Sequence, residues 1–325
     1  MDPLTDVLGL LDLRIAQFAR LEAEEPWAVG FSGYRHIKFG AVLQGTCRIA
    51  VAGLPEPITL AEGDCYLIGS GRAYELSGGQ AVPAVPSSKV FADYTEGATV
   101  RIGSDRDAVV VGCGFDLDEA DAAVLVDVLP PLIHISAGSD AADAVRAALE
   151  LLRAETGAPG LGTPFVTERL AHILLVHLLR AHIAEQGVAG GVWLTALADR
   201  QVGAALALMH DMPTHRWTVA ELAAKAGMSR SQFAARFAES VGVPPLEYLL
   251  GWRMRSAARE LRTGDRTVAA IAARWGYGSE SSFSHAFKRV TGSSPGRYRR
   301  EGNATASTAP GVIAQPPDLD GGRAT

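Results

Sequence analysis

Residues 267–300 read TVAAIAARWGYGSESSFSHAFKRVTGSSPGRYRR, and this stretch decides how the C-terminal third folds. Its pattern predicts a helix, a glycine turn, a second helix and a basic tail. Thr267 is placed to cap the first helix, because its hydroxyl can accept a backbone N–H that has no partner at a helix start. Val268, Ile271 and Ala272 follow at the spacing of one buried helical face. Gly276 and Gly278 are the residues at which a positive φ carries no steric cost, so the chain can reverse within a few positions. Ser279 is placed to cap the second helix, where Phe283 and Phe287 lie one turn apart on a shared face. Ser281 and His285 then point the other way, flanked by Ser282, Lys288 and Arg289. A short helix pinned by two aromatics, with a polar and basic outer side, has the dimensions a DNA major groove admits. A plain amphipathic helical hairpin has the same outline, so a second signal is needed.

The second signal is a repeat. Val219–Ala226, Gly227-Met228 and Ser229–Ser240 reproduce the helix, turn and helix of the opening stretch. Leu222 and Gly227 match Ile271 and Gly276 at an offset of 49 residues, whereas Phe233, Phe237, Gly242 and Pro245 match Phe283, Phe287, Gly292 and Pro295 at 50. The extra residue, Gly278, falls in the second turn. Residues 246–262 read as a linking helix. Two such units would address successive major grooves if spaced by roughly 34 Å. Charge agrees with this reading. Residues 200–300 hold 16 of the 30 Lys and Arg but only 7 of the 36 Asp and Glu, leaving 14 basic against 29 acidic residues elsewhere. A basic region on an acidic chain implies a polyanionic partner.

Upstream, residues 1–25 suggest one helix ending near Pro26-Trp27. From about Val29 to Phe115, short apolar or alternating runs (Ala41–Leu43, Cys47–Val51, Cys65–Ile68, Tyr74–Leu76) are separated by glycine turns, which argues for a small β sandwich or barrel closed by Val109–Phe115. Gly78–Ser88 is expected to be a loop. Helices are then expected over 118–129, 140–156 and 163–186, the last with Thr163 as cap and Pro164 in its first turn. Its apolar row of Leu170, Ile173, Leu174, Leu178 and Ala181, widened by Val166, Val176 and Leu179, needs a partner, either the β region or a second copy of the chain. Ala189–Gly191 reads as a linker, and residues 301–325 as a disordered tail. No apolar run reaches the length of a membrane span. The N-terminus is acidic where an export signal is basic, and three cysteines make no disulfide framework, so a cytoplasmic location is expected.

The quoted motifs resemble the DNA-binding domain of AraC/XylS-family transcription regulators. The second unit carries the resemblance in Ile271-Ala272, Gly276-Tyr277, Ser279, Phe283, Phe287-Lys288-Arg289, Gly292, Ser294-Pro295 and Tyr298-Arg299. The first carries it in Leu222-Ala223, Gly227-Met228-Ser229 and Phe233 with Phe237. Pro26-Trp27, Gly45, Gly63-Asp64, Cys113-Gly114, Leu129-Pro130, Glu168-Arg169-Leu170 and Trp193, Leu197 and Asp199 resemble the members with a cupin-type N-terminal domain. The resemblance implies an α+β protein with a cupin-like β-barrel sensor domain (1–115), a helical dimerisation or linker region (116–198) and a double helix-turn-helix domain (199–300). It implies double-stranded DNA, a small effector, RNA polymerase and a second copy of the chain as partners, with no cofactor. The DNA-facing candidates are Arg230, Ser231, Gln232, Ala235 and Arg236 in the first unit. In the second they are Glu280, Ser281, Ser282, Ser284, His285, Lys288 and Arg289. For the effector the candidates are His36, Tyr66 and Tyr74.

Two other chemistries can be weighed on the residues. A catalytic cupin gathers several His with a Glu around a transition metal. Here His36 stands alone in the β region, His134 lies beyond the expected barrel, and His172, His177 and His182 are spread around one helix at intervals of five. This favours a sensor over a metalloenzyme. Cys47, Cys65 and Cys113 would support redox sensing if exposed and acidic, whereas buried thiols behave as small apolar groups. The structural role is the expected one.

Overall fold

The computed structural model describes residues 3–10, 13–33, 37–69, 71–95, 98–116, 129–186 and 193–306. By contact the chain divides into two compact units, Met1–Leu249 and Leu250–Thr325.

A short helix, α1 (Pro3–Leu10), opens the first unit, and eleven strands follow among the described residues: β1 (Arg14–Ala23), β2 (Trp27–Phe31), β3 (Ile37–Gln44), β4 (Thr46–Val51), β5 (Ile58–Ala61), β6 (Cys65–Ile68), β7 (Tyr74–Gly78), β8 (Val85–Pro86), β9 (Thr99–Ile102), β10 (Ala108–Asp116) and β11 (Ile133–Ile135). A four-residue helix, α2 (Ser87–Val90), lies between β8 and β9. The strands form a six-stranded sheet in the order β11-β6-β3-β10-β1-β9 and a five-stranded sheet in the order β5-β4-β7-β2-β8. The expected barrel is therefore two facing sheets and not a closed one, because the edge strands β9, β11, β5 and β8 pair with one neighbour each. Alternation along the strands sends Leu21, Ala23, Val42, Ile49, Tyr66, Leu76 and Val110 into one buried core with Trp27 and Val29.

The first 25 residues depart most from expectation. Arg14–Ala23 is rich in Ala, Leu, Arg and Glu, all good helix formers, yet it runs as a strand between β10 and β9. Ladder bonds on both sides outweigh an intrinsic preference worth only tenths of a kcal/mol per residue. His134 is also placed differently. It sits on β11, paired with β6, where its Nε2 lies 3.0 Å from Asp64 Oδ2. The expected loop 78–88 contains the short strand β8, paired in parallel with β2.

The far face of the six-stranded sheet is covered by helices. A 3-10 turn at Asp140–Ala142 leads into α3 (Asp143–Gly157), and α4 spans Thr163–Gln186; Thr163 is its first residue and not its cap, since the hydroxyl accepts from the Gly160 N–H and donates to Glu155. Leu170, Leu174, Leu178, Leu179 and Ala181 are buried, and α4 packs on α3, β1 and β11. Phe115 of β10 meets His172 of α4 edge-on at 5.5 Å. Most of the apolar row is thus covered by the chain itself, whereas Val166 and Ile173 stay exposed. The expected helix 118–129 and linker 189–191 lie outside the described residues.

The rest of the first unit is helical: α5 (Trp193–Ala198), α6 (Arg200–Asp211), α7 (Val219–Lys225), α8 (Arg230–Val241) and the start of α9 (Pro245–Thr263). Asp199 caps α6 by accepting from the backbone N–H groups of Gln201 and Val202. The second unit holds the remainder of α9 with α10 (Val268–Arg274), α11 (Glu280–Thr291) and α12 (Pro295–Ala306). The basic stretch after Pro295 and the first residues of the expected tail are therefore helix. No described helix is long and apolar enough to cross a membrane.

Candidate functional site

Each hairpin is built by the same local devices. Thr218 and Thr267 accept from the N–H groups of Glu221 and Ala270, starting α7 and α10. Gly227 and Gly276 make the turns at φ of +69° and +80°, a region that side chains with a Cβ enter only with strain. Gly278 does not share this conformation; the positive φ belongs to Gly276 alone in that turn. Ser229 and Ser279 cap α8 and α11, and Gly242 and Gly292 end them in the left-handed conformation. Phe233, Phe237, Phe283 and Phe287 are all fully buried. In the second unit the aromatic pair packs with Met254, Ala257, Leu261, Ile271 and Trp275. Tyr277 and Tyr298 close edge-on against Phe283 and Phe287 at 5.5 and 5.4 Å. Every ring pinned inside turns the opposite side of its helix to solvent.

On that solvent side, Arg230, Ser231, Gln232 and Ala235 of α8 are exposed. So are Glu280, Ser281, Ser282, His285, Lys288 and Arg289 of α11, with Ser284 half-buried. Two of these residues already have work to do. Gln232 completes a capping box with Ser229, and the Ser282 hydroxyl donates to the Ser279 carbonyl at 2.9 Å. They occupy equivalent positions, 50 residues apart, and both hold the start of their helix. Among the described residues, Arg230, Lys288 and Arg289 make no salt bridge, so their charge is free for an outside partner.

Arg236 is placed differently from expectation. Its Nε lies 3.0 Å from Asp199 Oδ2 and its Nη1 lies 3.1 Å from Gln201 Oε1. Burial alone would push the Asp199 carboxyl up, but the Val202 and Gln201 N–H groups and the Arg236 guanidinium hold it below its usual value. Arg236 thus ties α8 to the capped start of α6. The residues that make this contact are 37 positions apart, and no local pattern announces it. A second residue missed in the sequence is Arg253 of α9. Burial raises the Tyr277 phenol, and the charges of Arg253 and Arg289 act against that shift, so both guanidiniums lie near the turn that starts α11.

The effector candidates fare unevenly. Tyr66 is buried in the inter-sheet core, and its ring lies where a Cβ on Gly40 would fall, 2.2 Å from the phenol oxygen. Tyr74 is also buried, stacked on Phe31 at 4.5 Å. Both are packing residues of the core, whereas His36 lies outside the described residues. Cys47, Cys65 and Cys113 are buried free thiols. Burial pushes Cys47 and Cys113 up to about 12 and raises Cys65 as well, the reverse of a reactive thiol's environment. Among the described residues no group of three His, Cys, Asp or Glu is arranged to hold a metal. His172 is taken up by the carbonyls of Glu168 and Leu13, at 2.8 and 2.9 Å.

A β-rich domain followed by two capped helix-turn-helix units defines a two-part DNA-binding protein, and comparison with known proteins gives its family. The Cupin family model matches residues 2–184 and the Helix-turn-helix domain model matches residues 222–301. A protein of Streptomyces lividans named as an AraC-like transcription regulator is 45% identical over 300 residues, covering 92% of this chain and 98% of that one. The HTH-type transcriptional regulator AlkR of Acinetobacter baylyi is 30% identical over 308 residues, covering 93% and 100%. Among solved structures, the DNA-binding domain of AdpA in complex with a target DNA is 33% identical, with a TM-score of 0.32, and covers 34% of this chain and 99% of that one. The chain belongs to the AraC family of DNA-binding transcription regulators.

Proposed function

We propose that the chain is an effector-controlled, cytoplasmic regulator without catalytic activity, in which α11 reads bases more than α8 does. The observation that carries this reading is the contrast between the two exposed faces. At equivalent positions α8 presents Ser231, Ala234 and Ala235, and α11 presents Ser281, Ser284 and His285, with Glu280 one residue earlier. Short side chains touch thymine methyls but make no bidentate hydrogen bonds, whereas a glutamate accepts from a cytosine amino group. Arg230, Lys288 and Arg289 then hold phosphates, which adds affinity without sequence preference. Effector binding in the N-terminal domain changes DNA affinity or contact with RNA polymerase. The exposed row of Phe165, Val166 and Ile173 on α4, one helical face by spacing, is the surface on which a second copy docks.

The test is a randomised-site selection with the full-length protein. Glu280→Ala and His285→Ala should each relax preference at particular bases by roughly 1–3 kcal/mol, and Arg230→Ala should weaken all sequences alike. A selected motif that changes only with Arg230→Ala reverses the roles. For the second copy, Ile173→Glu should convert a dimer to a monomer by light scattering; an unchanged mass places the contact elsewhere.

A further inference from the structure

A cavity of about 420 Å³ opens on the helix-covered side of the six-stranded sheet, between β1 and the first turns of α4. Its floor follows from strand alternation. Leu21 and Ala23 point into the inter-sheet core, so Phe18, Arg20 and Glu22 point away from it. A β-bulge between Ile15 and Gln17 adds one residue to the strand, which turns Ile15 to the same side as Phe18. Both line the cavity, opposite Phe165 of α4. The walls are therefore largely apolar, and the volume suits a small organic molecule.

Two charged residues, Arg20 and Glu168, line this space, and Arg20 is the one held in place. The Arg20 side chain is 13% exposed, with Nε 3.1 Å from Glu22 Oε1 and Nη1 3.3 Å from Thr156 Oγ1. The Thr156 hydroxyl donates to the Leu152 carbonyl, so its oxygen accepts from Arg20 and fixes the guanidinium plane. Glu22, almost wholly buried, is also met by Arg101 at 3.1 Å and Arg106 at 3.5 Å. Three guanidiniums, those of Arg20, Arg101 and Arg106, share this one carboxylate. Glu168 also lines the cavity and supplies an acceptor for a ligand hydroxyl or N–H. An apolar body with one anionic head matches this arrangement, since a held guanidinium meets a carboxylate through paired N–H donors.

We propose that this cavity, and not the space between the two sheets, is the effector site, and that it takes a small organic monocarboxylic acid whose carboxylate is held by Arg20. The proposal rests on the effector-controlled reading above and specifies its site and ligand class. A bound acid touches β1 and the first turns of α4 at once. It therefore joins the sheet to a helix that also packs against α5, the element just before the Asp199 cap of α6.

The test uses the full-length protein and two matched probe pairs, benzoate against benzamide and octanoate against octanamide, in calorimetric titration and thermal shift. The acids should bind at least about tenfold more tightly than their amides. Arg20→Gln should erase that preference and Arg20→Lys should restore part of it. Ala98→Phe, at a half-exposed lining position away from the Glu22 cluster, should weaken both acids about tenfold or more with the unliganded Tm unchanged. Should Arg20→Gln fail to fold, Ala98→Phe decides. Equal binding of acid and amide, absence of binding by both acids, or an acid preference that survives Arg20→Gln or Ala98→Phe overturns the proposed site. The same samples are titrated with DNA. Acid binding through Arg20 with unchanged DNA affinity keeps the site and overturns its role as effector site. DNA affinity that responds to an acid equally in wild type and Ala98→Phe keeps effector control and overturns this location for it.

Discussion

The two helix-turn-helix hairpins share their template and differ in how each is held. The first is stitched into its surroundings by polar contacts. Arg236 reaches Asp199 and Gln201, and Gln201 Nε2 donates to the Ala226 carbonyl at 3.1 Å. The second has Ala286 at the position equivalent to Arg236; its polar tie comes from the other helix of the hairpin, Arg274 to Glu260 at 3.0 Å, and α11 itself is held by an aromatic cluster of Tyr277, Phe283, Phe287 and Tyr298. Its outer face carries Glu280, His285, Lys288 and Arg289, where the first has Arg230, Ala235, Ala238 and Glu239. A helix that must present varied polar groups outward gains from a hold that uses none of them. The first hairpin, whose outer face is alanine at two of these four positions, can spend an arginine on anchorage.

The largest test of this contrast is removal of the rings. Phe287→Ala should destabilise its hairpin by about 3–5 kcal/mol, measured by denaturant unfolding. Phe237→Ala should cost a similar amount at its own ring site but leave the Arg236 anchor in place, so DNA binding is lost more completely in the first variant. Equal loss of DNA binding would show that the polar stitching does not matter. Next, Gly227→Val and Gly276→Val should each cost about 1–3 kcal/mol, because a β-branched residue is strained at positive φ. Gly278→Val should cost clearly less, and a matching loss there would mean that the turn is not governed by φ.

A smaller effect is expected at the anchor. Arg236→Ala should cost about 1–2 kcal/mol, toward the low side because the Arg236 side chain is 42% exposed. Its pH dependence has a definite sign. Asp199 is held below its ordinary 3.8, so its stabilising contribution is complete above that value and is lost as pH falls through the lower folded value. The Tm gap between wild type and Arg236→Ala should thus be constant at neutral pH and close in acid; a gap that widens in acid would exclude the carboxylate as the partner. The smallest effect concerns salt. Lys288→Ala should reduce the log–log salt slope of DNA affinity by about 0.9, while Arg236→Ala should leave it unchanged.

What was legible in the sequence was local. The caps at Thr267 and Ser279, the turn glycines Gly227 and Gly276 and the buried Phe pairs are each set within four residues, and the 50-residue repeat doubles their weight. Arg14–Ala23 was not legible as a strand, because its composition favours helix and its partners lie some 80 to 100 residues away. The short strands β5, β9 and β11 carry too few residues for a period to register. The solvent-facing positions of α8 and α11 followed from helix geometry, but the employment of Arg236, Gln232 and Ser282 inside the protein did not. Tyr66 and Tyr74, two of the three effector candidates, are packed into the inter-sheet core, which the sequence did not announce. Alternation tells which residues face inward, and only the packing tells what each of them touches there.

The three native thiols have a practical consequence for watching this molecule at work. Burial pushes Cys47 and Cys113 up to about 12 and Cys65 further, so the reactive thiolate is scarce at neutral pH, and burial also withholds the sulfurs from reagents. Maleimide dyes should ignore Cys47, Cys65 and Cys113 in the folded chain. A cysteine introduced at exposed Ser231 or Ser281 would then be the sole labelled position, with no cysteine-free background to engineer. Both hairpins are in this way open to site-specific fluorescence, and energy transfer between the two dyes would report directly on how they respond to DNA.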